Sequence, residues 1–198
     1  MQAAEKIIEA YVRYVKGWLT MAGIKCKGQF EIDLIAADLS DPRKRRLYHI
    51  ESVISTSDSF SKLNNKPYSP EAVSNSQKAR RRRTLDFFIE RKFENTDVLD
   101  KLATYGFIEG NYQKIVVSWG WSDDVPEAAK KARIELWDFR TIVKELEGHA
   151  REISSFLPDD TMRTIQLLAK ASTAPVEKKT VAKEQKYFST PNKSREPL

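Results

Sequence analysis

Cysteine occurs once in these 198 residues, at Cys26. A single thiol excludes an intrachain disulfide framework and a Cys-rich zinc site. It is read as a small strand residue in a reducing compartment. Long apolar runs are also missing. No stretch reaches the roughly 20 residues a membrane-spanning helix needs. Residues 1–16 carry Glu5, Lys6, Glu9, Arg13 and Lys16, so they lack the apolar segment of a secretory signal. No internal repeat is visible. The expectation is a soluble, cytoplasmic protein with no membrane partner. Acidic residues are outnumbered, 28 against 34 basic, for a formal net charge of +6. That excess favours a polyanionic partner, although some of it sits in the C-terminal tail.

What is present is enough apolar residue, 40% of the chain, for one sizeable core. Ile8, Val12, Val15 and Leu19 recur at helical spacing and predict a helix over residues 5–22, stopped by Gly23. A short strand over 24–27 and a longer one over 29–37 follow. A basic link, Asp41-Pro42-Arg43-Lys44-Arg45-Arg46, leads to a third strand over 47–55. Ser, Asn and Lys dominate residues 56–69. Ser69 and Pro70 then signal the start of a helix running to about Phe93. Its first half is basic and its second half has Leu85, Phe88 and Ile89 on one side. Further elements are expected as a helix over 97–104, a strand over 114–119 and a helix over 126–133. A strand over 134–139, a helix over 140–147 and a last helix starting at Asp159 or Asp160 complete the order. The expected fold is α/β, in αβββαβαβ-type order. Helices flank a mixed sheet of about five strands: short links pair the early strands antiparallel, and helical links pair the later ones parallel. The organisation reads as a core over 1–155, an accessory helix over 156–170 and a disordered basic tail over 171–198.

Two strand-like segments each hold one carboxylate in an apolar run, Glu31-Ile32-Asp33-Leu34-Ile35 and Tyr48-His49-Ile50-Glu51-Ser52-Val53. A buried carboxylate is costly unless paired. Two on neighbouring strands point to a divalent cation, Mg²⁺ or Mn²⁺, held between them, because such ions take carboxylate oxygens and substrate phosphates. The plainer alternative is a pair of ordinary strand carboxylates with basic partners. His49 is assigned to the face opposite Glu51 and read as a packed or rim histidine. Arg80 to Arg83 span more than one helical turn and cannot all face one ligand, so a solvated helix face is the alternative reading there.

These residues, in this element order, resemble the PD-(D/E)xK nuclease superfamily, the restriction-endonuclease-like fold, and within it Mrr-like and Holliday-junction-resolvase-like members. The resemblance covers residues 5–147. It implies that Asp33 and Glu51 are metal ligands and that a glutamate on the first helix, Glu5 with Glu9 as fallback, assists. The lysine the pattern places two residues after Glu51 is replaced by Val53. The resemblance implies a cation relocated to the following helix, with Lys78 as candidate, Arg81 or Arg82 next and Lys62 weaker. The implied function is metal-dependent hydrolysis of DNA phosphodiester bonds. Lys78, Arg80, Arg81, Arg82 and Arg83, and also Arg43 to Arg46, would make the phosphate contacts. The alternative is a catalytically inactive protein of the same fold that binds nucleic acid or a protein partner. A homodimer is left open.

Overall fold

A computed structural model describes residues 2–55, 62–68, 83–155 and 159–173. Helix α1, Ala3–Tyr14, has Glu5 in its first turn and buries Ile8, Tyr11 and Val12. It ends well before the sequence pattern suggests. Gly17 takes φ +72°, which turns the chain out of the helix, and strand β1 occupies Leu19–Lys25. Val15 and Leu19 therefore share no helix face; the apolar spacing through residue 22 belongs to two elements.

A single 3₁₀ turn, Lys27–Gln29, leads to β2, Glu31–Asp38, and the basic link leads to β3, Arg46–Ser52. Helix α2, Leu85–Phe88, is capped by the Thr84 hydroxyl, which accepts from the Phe87 amide. It runs directly into a π turn over Ile89–Phe93. Helix α3 (Thr96–Ala103), strand β4 (Tyr112–Ser118) and helix α4 (Val125–Lys131) come next. Strand β5 (Ile134–Asp138) and helices α5 (Phe139–Glu152) and α6 (Asp160–Thr173) follow. No helix among the described residues is long and apolar enough to cross a membrane. The tail from residue 174 lies outside the described residues.

The sheet order is β1-β2-β3-β4-β5. β1–β2 and β2–β3 are antiparallel; β3–β4 and β4–β5 are parallel. The chain is thus an α/β protein with a mixed five-stranded sheet flanked by helices, as the linker lengths predict. Alternation divides the strands between two faces. On one, Leu34, Ala36, Tyr48, Ile50, Ile115 and Val117 pack against α1, α5 and α6. On the other, Val116 meets Leu85, Phe88 and Phe93, with Val125 and Ala129 of α4. Ile35 on that side packs with Val98 and Leu102 of α3. Each buried Ile, Leu or Phe contributes about 1.5–3 kcal/mol. The α2–π segment is thereby fixed across the C-terminal end of β3.

Candidate functional site

The site forms where β2 and β3 part. Their regular pairing runs from Asp38↔Arg46 to Leu34↔Ile50. One residue further on, side chains replace the ladder. The Asp33 amide donates to Glu51 Oε1 at 3.3 Å, and the Ser52 amide and hydroxyl donate to Asp33 Oδ2 at 2.8 and 3.0 Å. Each carboxylate thus satisfies a backbone donor on the opposite strand, which fixes both side chains without further loops. Asp33 and Glu51 lie on one face and converge, as expected from their strands.

Between them stands Lys92. Its ammonium lies 2.5 Å from Glu51 Oε2 and 3.3 Å from Asp33 Oδ1, and it donates to the Glu31 carbonyl at 2.7 Å. Lys92 sits inside the π turn, where the Glu94 amide reaches back to the Ile89 carbonyl at 2.9 Å. π turns often occur at functional sites. Leu85, Phe88, Ile89 and Lys92 follow the i, i+3, i+4, i+7 spacing of a core-facing helix stripe, so a lysine occupies a core position.

The Glu51 side chain has no exposed surface, whereas Asp33 and Lys92 keep 15% and 18%. Burial pushes the Glu51 carboxyl up, with Lys92 pulling the other way. Burial, then the charge of Glu51, raises Asp33, against Lys92 and Ser52. Burial also works against the charged form of Lys92, but the two carboxylates outweigh it and hold its pKa above the ordinary lysine value. The cluster has two acids for one base. Its raised carboxyl pKa values reflect burial together with this shortage of positive charge.

His49 corrects the sequence reading. It is two residues from Glu51, so strand alternation puts both on the same face. The ring is fully buried, edge-on to Phe93 at 4.9 Å between centroids, with Nε2 2.8 Å from Glu51 Oε1. Its Nδ1 has no hydrogen-bond partner among the described residues. A proton on Nδ1 would be a buried donor without an acceptor, so the geometry assigns the neutral tautomer with Nε2–H donating to Glu51. Burial, and next the charge of Lys92, lowers the His49 pKa to about 3, consistent with that neutral form.

A cleft of about 560 Å³ opens in front of the cluster, lined among others by Glu5, Asp33, Val53, Arg83 and Lys92. Glu5 accepts from the Gln2 amide at 2.8 Å at the start of α1 and faces the same space. Glu9 is drawn elsewhere, accepting from the Thr20 hydroxyl at 3.0 Å. Val53 lines the cleft and its amide donates to the Val117 carbonyl at 2.9 Å. Arg83 is buried at the cleft wall and Lys62 is exposed. Lys78, Arg80, Arg81 and Arg82 lie outside the described residues. Among the described residues the lysine beside both acids is Lys92; the expectation placed on Lys78 falls outside them.

Two carboxylates can hold a Mg²⁺ or Mn²⁺ ion, which keeps waters or substrate phosphates in its other positions. No group of three or more His, Cys, Asp or Glu side chains arranged for a metal occurs among the described residues. Asp33 and Glu51 supply oxygen donors of the kind such an ion takes, and the positive charge that stands between them is the Lys92 ammonium.

The sequence matches no family model and no curated protein. One solved structure, described as a protein of unknown function, AF1548, aligns over 86% of this chain and 97% of its own. The identity is 15% and the TM-score 0.42, a likeness that carries no argument.

Proposed function

We propose that the protein is a divalent-metal-dependent phosphodiesterase of the PD-(D/E)xK type acting on DNA, with Lys92 in place of the lysine that Val53 lacks. The observation that carries this reading is the Lys92 ammonium placed against both Asp33 and Glu51 and opening into a cleft. Asp33 and Glu51 would hold Mg²⁺ or Mn²⁺. The bound ion would supply positive charge to the phosphate and lower the pKa of water.

The protein's own groups do the rest. In hydrolysis a water oxygen adds to phosphorus while the bond to the leaving alkoxide breaks, and negative charge grows on the non-bridging oxygens. Lys92, kept protonated by its two acids, is a fixed cation for that charge and reorganises little as it forms. His49 and the Asp33 amide hold Glu51 in one orientation. Ser52 does the same for Asp33. Glu5 would assist through a water at the mouth of the cleft.

A second reading, a non-catalytic protein of this architecture that binds nucleic acid or another protein, is favoured by the total burial of Glu51 and the commitment of Lys92 to three acceptors. A nuclease assay with Mg²⁺ and Mn²⁺ on linear, branched and single-stranded DNA separates the two. The enzyme reading expects metal-dependent cleavage abolished by chelator. Inactivity with both metals on all three substrates favours the second reading.

A further inference from the structure

A second groove, of about 520 Å³, lies at the other end of the parallel strands, where β3, β4 and β5 begin. Ser52 and Arg46 mark the two ends of β3. At ~3.3 Å per residue Arg46 in the groove and Glu51 lie about 17 Å apart along the strand. Four basic residues converge on it: Arg45 from the β2–β3 link, Arg46 from the first position of β3, Lys130 from the last turn of α4, and Arg133 from the turn before β5.

Acidic residues do not balance this charge. Arg46 pairs with Asp38 at 3.5 Å. Glu135 also lines the groove and accepts from Gln113 Nε2 at 2.5 Å and Trp137 Nε1 at 2.7 Å; these neutral donors leave its negative charge in place, so four basic groups face two carboxylates. Among the described residues Arg45, Lys130 and Arg133 form no ion pair, and all three are exposed. Arg43 and Lys44 continue the same basic link.

Arg133 is also held at φ +55°, closing α4, with its amide donating to the Lys130 carbonyl at 3.1 Å. Glycine is the usual residue in such a left-handed helix stop. An arginine there accepts local strain, which this chain otherwise shows, outside glycine, among the described residues only at Gln29.

We propose that this groove binds the sugar–phosphate backbone of duplex DNA, as a second contact separate from the carboxylate cleft. The choice of DNA rests on the function proposed above; the anion-binding chemistry does not. Unpaired guanidinium and ammonium groups from three elements across one concavity match phosphates spaced along a backbone. Such contacts set affinity and register without choosing a sequence.

The test uses the full chain, in EDTA so that no cleavage occurs, with a short fluorescein-labelled DNA duplex and anisotropy read from about 50 to 200 mM salt. The Arg45→Gln/Lys130→Gln/Arg133→Gln variant is expected to bind at least roughly tenfold more weakly at the lower salt. Its slope of log K against log salt should fall by about 2–3, near 0.9 per lost phosphate contact. Arg133→Gly should raise the melting temperature by roughly 2–4 °C while still weakening binding, which a purely structural arginine would not do. Unchanged affinity and slope in the triple variant overturn the proposal. So does tighter binding of duplex RNA than of DNA, lost to the same extent in the triple variant. Because no metal is present, failure of the nuclease reading leaves this result standing, and metal-dependent cleavage with an unaltered salt slope rejects the groove alone.

Discussion

Ile50 and Glu51 are neighbours on β3 and both are sealed from solvent, at 1% and 0% exposure. Ile50 points into the apolar layer shared with α1, α5 and α6. Glu51 points the other way, toward His49 and Lys92. The two faces of one strand thus spend burial differently. The first turns it into stability through close-packed hydrocarbon. The second encloses charges whose desolvation roughly cancels their attraction. Buried charge that adds little stability is what marks the second face as the candidate site.

Exchanging properties between the faces sharpens this contrast. Ile50→Ala should destabilise the protein by about 2–5 kcal/mol, with DNA cleavage per folded molecule close to wild type. Glu51→Gln, nearly isosteric, should reduce cleavage by about 10²–10³-fold with a far smaller loss of stability. Denaturant melts and single-turnover rates on the same samples check both. Equal effects of the two variants on both readouts would erase the distinction.

The next test is pH. The Glu51 carboxyl is raised from 4.5 to about 7, so between those values the native state holds more protons than the unfolded chain. Its contribution to stability is therefore present at low pH and is lost as pH rises through about 7. Measured without metal, wild type should lose on the order of 2–3 kcal/mol relative to Glu51→Gln across this window. His49 works in the opposite sense. Its lowered pKa gives stability above pH 6.5 that disappears on acidification toward about pH 3. Glu51→Gln retains His49 but also relieves the like charge on Asp33, so the difference reports the carboxyl pair. A wild-type minus variant difference flat across pH 4.5–7 would contradict the charge balance assigned to the cluster.

His49 gives the smallest expected effect. Removing its donor in His49→Leu should lower cleavage by about 10–100-fold and move the acid limb of the pH–rate profile upward, because the ionised form of Glu51 loses a hydrogen bond. His49→Gln, which can return an N–H to Glu51, should recover much of both. An unshifted pH profile in His49→Leu would make the histidine a packing residue only.

The sheet was largely legible because its strands carry unambiguous patterns. Ile115-Val116-Val117 is apolar on both faces, as a strand inside a parallel sheet must be. Of β1 only the end, within the expected strand over 24–27, was legible, because Val15 and Leu19 continue the helical spacing of Ile8 and Val12 across a turn that only Gly17 betrays. Asp33 and Glu51 were visible as carboxylates in apolar strands. Lys92 was not, because it is distant in sequence and lies in Glu90-Arg91-Lys92, which reads as a solvated face. Its signal is the stripe it shares with Leu85, Phe88 and Ile89, and the π turn that orients it leaves no clear mark in the sequence. His49 needed only a correct count along the strand.

The central claim is that the amine missing at Val53 is provided by Lys92. The direct measurement is the single-turnover rate of Mg²⁺-dependent DNA cleavage by wild type and Lys92→Met, with the folded fraction and DNA affinity of each determined alongside. The account predicts a loss of about 10²–10³-fold in rate, with DNA affinity changed only modestly. It further predicts partial recovery when Val53→Lys is added, since both positions line one cleft. Cleavage by folded Lys92→Met at the wild-type rate would contradict it.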